Sequence, residues 1–159
     1  VPIKDASIPD FLKRFEQFPA VEINWLIYGS GGNKAKSSEP VMKRFRFHSQ
    51  PDHYLNRHVK SIVNPRMVYT MIGCHEVARI KGKAADSHGN PITRNFRQRT
   101  PQQDIIRINH YAVRSLEEFR EKQMRGRASG TQTSVPMEYF NQYDLNDIEE
   151  PAPNISKNI

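Results

Sequence analysis

The first apolar pattern along the chain predicts a helix over residues 7–18. Its apolar positions recur at the three- and four-residue spacing of a single helix face. They are Phe11, Phe15 and Phe18. Ser7 stands where an N-cap would lie, and Asp10 follows three residues later, which is the spacing of a capping box.

The pattern changes at residues 20–28, AVEINWLIY, where apolar residues become almost continuous. β-branched and aromatic residues dominate this run, which predicts a strand. Because apolar residues are not confined to every second position, we expect the strand to be covered on both faces of its sheet. A glycine-rich polar loop, GSGGNKAKSS, follows it.

Shorter apolar runs predict further strands at residues 59–63, 67–73 and 104–113. A long polar connection, 82–103, separates the last two runs, and its HGNP sequence is typical of a turn. The sheet would then have four or five strands.

Two later segments predict helices. Ser115 and Glu118 form a second capping box, and the helix that starts there runs to about residue 125. Residues 137–147 predict a shorter helix, and we expect a disordered tail over 148–159. The alternation of helices and strands predicts one α/β domain over residues 1–147.

The net charge of the chain indicates which classes of partner it favours. The chain of 159 residues carries a formal net charge of +7, which favours an anionic partner such as phosphate, nucleic acid or an acidic lipid surface. Its aromatic residues lie in apolar runs and do not alternate with basic residues, which disfavours a nucleic-acid stacking platform. A solvated basic surface is the simpler interpretation of the charge.

Two further observations bear on location. Cys74 is the single cysteine, so no intramolecular disulfide can form, and a reducing, cytoplasmic location is expected. No run approaches the roughly 18–20 apolar residues that a membrane helix needs. Because the chain is basic, association with an acidic membrane surface is also compatible with the sequence.

Several motifs are candidates for chemistry. Gly29, Ser30 and Gly31 follow the apolar strand directly, but no lysine–serine or lysine–threonine ending makes them a phosphate loop. In a strand, His58 and Lys60 share a face, where they could hold a phosphate or merely line a sheet edge.

His110 lies near the carboxyl end of the predicted strand over 104–113, just before the capped helix. An imidazole at such a position can bind a metal or accept a proton, and it can equally be a core histidine. Lys122 and Arg125 lie three residues apart and so on one side of the helix, although Glu118 could pair with Lys122.

Several stretches in a fixed order resemble one group of enzymes. They are EINWLIYGSGG, VMKRF, NRHVKSIVNP, the histidine after MIGC, RINHYAVRSLEEFREKQMRGR and FNQYDLNDIEE. In that order they resemble glycosyltransferases of the GT-A fold, in the family 2-like and family 92-like group. The resemblance spans roughly residues 3–150.

The resemblance implies a metal-dependent transferase that moves a sugar from a nucleotide-diphosphate donor to a carbohydrate or other hydroxyl acceptor. Such enzymes hold Mn²⁺ or Mg²⁺ with an Asp-x-Asp element in a nucleotide-binding half. This sequence contains no Asp-x-Asp element. The resemblance therefore predicts a partial GT-A-like sheet with flanking helices that lacks the N-terminal nucleotide-binding half.

The resemblance also implies roles for particular residues. It makes His110 a metal ligand and Gly29, Ser30 and Gly31 the loop that lines the acceptor pocket. The basic residues that would neutralise the donor phosphates are Lys60, Lys122 and Arg125.

The catalytic base is not identified by the resemblance. Lys43 stands where the family pattern commonly has an acidic residue, so the remaining candidates for the base are Asp52 and Glu76. A half-domain would expose apolar surface and a sheet edge, which predicts self-association. The alternative function is a basic nucleic-acid-binding domain or a non-catalytic interaction domain.

Overall fold

The structure is a computed structural model that describes residues 3–5, 7–73, 75–126 and 134–151. Within these ranges the chain forms a mixed α/β fold with short elements. The helices are α1 Ile8–Leu12, α2 Val41–Arg44, α3 Leu116–Arg125 and α4 Met137–Tyr143. The strands are β1 Ala20–Ile27, β2 Phe47–His48, β3 Val59–Val63, β4 Val68–Ile72, β5 Glu76–Arg79, β6 Ile108–His110 and β7 Ile148–Glu149.

The strands form three small sheets and not the single sheet of four or five strands that we predicted. One sheet has the order β3-β1-β6, and the other two are the pairs β2-β7 and β4-β5. β1 runs antiparallel to β3, with Ile23 opposite Lys60. The prediction failed because the apolar pattern locates strands but does not state which strands pair.

Strand β1 confirms the prediction from its continuous apolar run. All eight of its residues are buried, and it occupies the central position of the three-stranded sheet. Two polar residues are buried within it, Glu22 and Asn24. The Asn24 amide is fully used, because it donates to the carbonyls of Asn56 and Arg57 and accepts from the Gln102 amide.

The length predicted one domain, and the structure divides into two compact units. Unit 1 comprises Val1–Leu26 and Pro51–Asn109, and unit 2 comprises Ile27–Gln50 and His110–Ile159. The main core of unit 1 consists of Phe11, Phe15, Val21, Ile23, Ala85 and Ile106. Both phenylalanines come from the face that predicted the first helix.

The core of unit 2 is largely aromatic. Phe45 and Phe119 are fully buried, and the Phe119 ring packs edge-on against Phe140 with 5.1 Å between their centroids. Helices α3 and α4 therefore meet through aromatic side chains.

The first helix is capped as predicted but is shorter. The Ser7 hydroxyl accepts a hydrogen bond from the Asp10 amide at 3.2 Å. The α-helix ends at Leu12, and residues 13–15 continue as a 3₁₀ helix. The apolar face persists through this change, since Phe11 and Phe15 pack with their ring centroids 4.6 Å apart.

The predicted disordered tail is corrected at its start. Residues 148–149 form β7, which pairs with β2 in the register Phe47 opposite Glu149. The Glu150 amide donates to the Arg46 carbonyl at 2.8 Å, and its carboxylate accepts from the Tyr28 hydroxyl at 2.5 Å. These partners lie far away in sequence, so local composition does not reveal them. Residues 152–159 and Cys74 lie outside the described residues.

None of the helices in the described part of the chain has the length and apolar character that crossing a membrane requires.

Candidate functional site

Helix α3 begins at the predicted capping box. The Ser115 hydroxyl accepts from the Glu118 amide at 3.3 Å, and the Ser115 amide donates to the Glu118 carboxylate at 3.3 Å. Arg44 adds two hydrogen bonds to that carboxylate, at 2.8 and 3.3 Å. Both side chains of this ion pair are almost completely buried.

The pairing with Arg44 changes the interpretation of Lys122. The sequence predicts that Glu118 could pair with Lys122, and the structure shows Arg44 and Ser115 bound to the Glu118 carboxylate. The Lys122 amine donates to the Ala112 carbonyl at 2.9 Å and lies 5.1 Å from the centre of the Tyr139 ring. Lys122 is thereby fixed at the chain segment that connects β6 to α3.

A cavity of about 440 Å³ opens beside this segment, and we call it the basic cleft. Four cationic side chains line it, namely Lys36, Arg114, Lys122 and Arg125. Two carboxylates line it as well, but Glu118 is engaged by Arg44 and Glu121 by Lys36 at 2.8 Å. Four cations and two carboxylates give the lining a net charge of +2, which favours an anion, with Lys36 paired to Glu121 and Arg114 lying 3.8 Å from Glu118.

Arg114 adopts an unusual backbone conformation at the edge of the basic cleft. Its φ of 58° lies in the left-handed region, and among the described residues no other non-glycine residue has a positive φ. A non-glycine residue in that region carries a conformational cost of about 1 kcal/mol or more. The turn directly before the Ser115 cap depends on this conformation.

The strand predicted over 104–113 is confined to β6, Ile108–His110, and His110 is its last residue. Its carbonyl accepts from the Tyr28 amide at 3.1 Å, and its neighbour Tyr111 lines the basic cleft. Within the described ranges, no group of three or more His, Cys, Asp or Glu side chains lies together in a way that could hold a metal ion. His110 thus directly precedes the lining of the cleft in the chain, which begins at Tyr111.

The glycine loop is held by the segment that follows α4. The Ser30 amide donates to the Asp144 carboxylate at 2.5 Å, and the Gly31 amide donates to the Asn146 side-chain oxygen at 2.7 Å. A Cβ atom on Gly29 would come within 2.5 Å of the Leu145 carbonyl oxygen. Close packing explains why glycine stands at position 29, and the amides of Ser30 and Gly31 already have acceptors.

Lys60 belongs to unit 1 and contacts an aromatic group. Its amine lies 5.8 Å from the centre of the Trp25 ring, and the His58 ring stacks on Trp25 at 5.0 Å. β3 begins at Val59, so His58 lies just before the strand and not within it, whereas Lys60 is its second residue. Burial lowers the pKa of His58 despite the hydrogen bond between its Nδ1 and the Leu55 carbonyl, so the imidazole is neutral at pH 7.

The two candidates for the base lie in different surroundings. Asp52 lies exposed in a turn. Glu76 lines a cavity of about 290 Å³ in unit 1 together with Glu22, Arg79 and Arg94.

Sequence reasoning missed Glu22, which is buried at the centre of β1. Burial raises the pKa of its carboxyl group, although Arg99 forms an ion pair with it that acts in the opposite direction. The signal was present in AVEINWLI, because a carboxylate inside a continuous apolar run requires a cationic partner. Arg44 was missed for a different reason, since the Glu118 that it binds is 74 residues away.

Compared with protein-family models, with curated proteins and with solved structures, the chain matches none.

Proposed function

We propose that this chain is the acceptor-side part of a metal-dependent glycosyltransferase with a GT-A-like fold. The reaction would move a sugar from a nucleotide-diphosphate donor to a hydroxyl group of the acceptor. The single observation that carries the proposal is the basic cleft, where Lys122 and Arg125 lie together in the chain that follows His110. These residues belong to the stretch that resembles such enzymes most specifically.

The chemistry of the cleft suits a departing diphosphate. As the bond between sugar and phosphate breaks, negative charge builds up on the phosphate oxygens, and fixed cations stabilise that charge. Arg125 can offer a planar pair of donors to phosphate oxygens, while Lys122 offers a compact charge. Because Lys122 is already held by the Ala112 carbonyl, little side-chain freedom is lost when an anion binds.

The expected Mn²⁺ or Mg²⁺ does not find a complete ligand set in the described residues. His110 supplies one imidazole, whereas these cations prefer several oxygen ligands. We therefore assign no step of the reaction to the metal through this chain alone. His110 remains our candidate for a single metal ligand beside carboxylates from an Asp-x-Asp element.

Titration with inorganic pyrophosphate tests the anion-binding half of the proposal. Pyrophosphate is the suitable probe because the cleft would contact the phosphates of the nucleotide donor and not its nucleobase. We expect weak binding, observed as NMR shifts of the α3 amides, and at least a tenfold loss of affinity in Lys122→Ala/Arg125→Ala. The matched control is Lys43→Ala/Arg120→Ala, which removes two exposed cations outside the cleft.

Three results would contradict the proposal. Equal pyrophosphate affinity in the cleft variant and the control variant would remove the cleft from the site. Tight binding of duplex DNA with a steep salt dependence would favour the nucleic-acid alternative. Finally, no sugar transfer by the chain joined to an Asp-x-Asp nucleotide-binding segment would reject the enzyme class.

A further inference from the structure

The hairpin of β4 and β5 exposes an unusual amount of apolar surface. Tyr69 is 84% exposed, Met71 51%, Ile72 57% and Ile80 62%. We call these four side chains the apolar hairpin residues. They lie within twelve residues of chain, so they form a concentrated feature and are not scattered surface residues.

The two strands of the hairpin differ in burial: β5 packs against the core of unit 1, and β4 is exposed. In β5, Val77 is buried and packs with Ala20 and Ala84 in a small core of unit 1. In β4, every residue after Val68 is exposed. The register shifts between Val68 and Thr70, which places Tyr69 at an irregularity where the ladder is interrupted.

Basic residues flank the apolar hairpin residues in the sequence. The exposed cations in this segment are Arg66, Arg79, Lys81 and Lys83. Glu76 is the one acidic residue between positions 66 and 83, so four positive charges and one negative charge give the segment a net charge of +3. The Glu76 carboxylate accepts a hydrogen bond from the Asn95 side chain at 3.3 Å.

We propose that this hairpin docks unit 1 onto an anionic lipid bilayer. Exposed Tyr, Met and Ile side chains can enter the boundary between headgroups and acyl chains, while the flanking cations attract anionic headgroups. This surface goes beyond the transferase proposal and does not depend on it, since neither the basic cleft nor His110 contributes to it.

The charge and chemistry of the hairpin disfavour two other occupants. A second copy that used the same face would bring two segments of charge +3 together, which repel each other. A nucleic acid would use the cations, but three of the four apolar side chains are Met or Ile, which do not stack on bases as aromatic rings do. An anionic membrane uses both the cations and the aliphatic side chains.

Sedimentation with lipid vesicles tests the proposal on the full chain. We expect binding to phosphatidylcholine vesicles that contain about 30% phosphatidylserine, and little binding to phosphatidylcholine alone. Tyr69→Ser/Met71→Ser/Ile72→Ser should lower the vesicle partition coefficient about tenfold or more, because each lost side chain removes apolar area from the lipid. Arg66→Gln/Lys81→Gln/Lys83→Gln should weaken binding comparably at about 0.1 M salt and less at high salt.

Matched controls separate the hairpin from the general surface. Met124→Ser removes an apolar side chain that is 81% exposed on α3, and Lys13→Gln/Lys43→Gln/Arg120→Gln removes three cations outside the hairpin. We expect the apolar control to bind vesicles as the wild type does, and the charge control to bind more tightly than the hairpin charge variant. Circular dichroism of each variant establishes that it is folded.

Several outcomes would overturn the proposal. The proposal is wrong if the wild-type protein does not bind the anionic vesicles. It is also wrong if the hairpin variants and the control variants bind the vesicles with equal affinity. A dimer that dissociates in the Tyr69→Ser/Met71→Ser/Ile72→Ser variant would show that a second copy covers the hairpin. Duplex DNA that binds through the hairpin cations, without any vesicle binding, would assign the surface to nucleic acid.

Discussion

The guanidinium group of Arg44 donates two hydrogen bonds, at 2.8 and 3.3 Å, to the carboxylate of Glu118 in the capping box of α3. The Arg44 side chain is 5% exposed and that of Glu118 is 10% exposed. The pair joins α2 to the first turn of α3 across 74 residues of chain. The wall of the basic cleft therefore depends on an ion pair that does not itself need to contact a ligand.

Arg44→Ala should destabilise the protein by about 3 kcal/mol, because it leaves a buried carboxylate without its cation. Arg44→Lys should cost less, since it keeps the charge but loses the paired donors. Denaturant unfolding measures both variants. The control is Lys36→Ala, whose pair with Glu121 is exposed and should contribute little to stability. Equal losses in Arg44→Ala and Lys36→Ala would contradict the assigned role.

Stability should fall at acidic pH partly through Glu118. Burial acts to raise the pKa of Glu118, but the hydrogen bonds from Arg44 and Ser115 outweigh burial and hold this pKa below its ordinary value. A carboxyl group whose pKa is lower in the folded state stabilises the fold above its unfolded-state pKa, and this contribution disappears as pH falls through the folded-state pKa.

Glu118→Gln should therefore flatten the acid side of the curve of unfolding free energy against pH while lowering stability at pH 7. Urea unfolding at a series of pH values measures this effect. The exposed Glu117→Gln is the control on the same helical turn, and we expect its curve to follow that of the wild type. An unchanged acid slope in Glu118→Gln would show that this carboxyl does not titrate as described.

Gly29→Ala should destabilise unit 2 by about 2 kcal/mol or more, because the added methyl group would overlap the Leu145 backbone. Adding Asn146→Ala should not restore stability, since the Leu145 carbonyl oxygen at 2.5 Å remains in the way. Thermal unfolding of the single and double variants measures this. Recovery in the double variant would mean that the Asn146 side chain, and not the backbone, requires glycine here.

Tyr28→Phe should loosen the end of the described chain. The Tyr28 hydroxyl donates to the Glu150 carboxylate at 2.5 Å, and a hydrogen bond to a charged group contributes about 1.5–3 kcal/mol. Hydrogen exchange of the Ile148–Glu150 amides should accelerate in the variant. The control is Tyr54→Phe, an exposed tyrosine of unit 1, which should leave exchange in this segment unchanged.

Glu76→Gln and Asp52→Asn separate the two candidates for the base. In a protein that also carries the nucleotide-binding half, we expect Glu76→Gln to lower kcat by a factor of about 100 or more. Asp52→Asn should have little effect, because Asp52 lies exposed in a turn whereas Glu76 lines a cavity. The pH profile of kcat/KM provides the second measurement, since loss of the base should remove its acidic limb. The opposite ranking would make Asp52 the base.

The local elements were largely predictable from sequence. The continuous apolar run predicted β1, and the Ser115–Glu118 spacing predicted the start of α3, because both signals depend on neighbouring residues alone. The same holds for β3, β4 and the Ser7 cap. By contrast, β2 and β7 have two residues each, too few to show a periodic pattern, and they exist because they pair with each other.

In the candidate site, too, some features could be predicted from sequence spacing and others could not. Sequence spacing placed Lys122 and Arg125 on one side of a helix, and the structure shows both lining the basic cleft. Spacing could not show that Glu118 binds Arg44, that Asp144 occupies the Ser30 amide, or that Lys60 contacts Trp25.

Sequence alone therefore determined the longer apolar strand β1, the capped starts of α1 and α3 and the residue types that are available for anion binding. Tertiary structure alone decided which charges are neutralised and which face a cavity. The physical reason is that helix capping and apolar periodicity act over three or four residues, whereas ion pairs form between any residues that the fold brings together. Glu22 and Arg99, 77 residues apart, show that even a buried charge at the centre of β1 obtains its partner only through the fold.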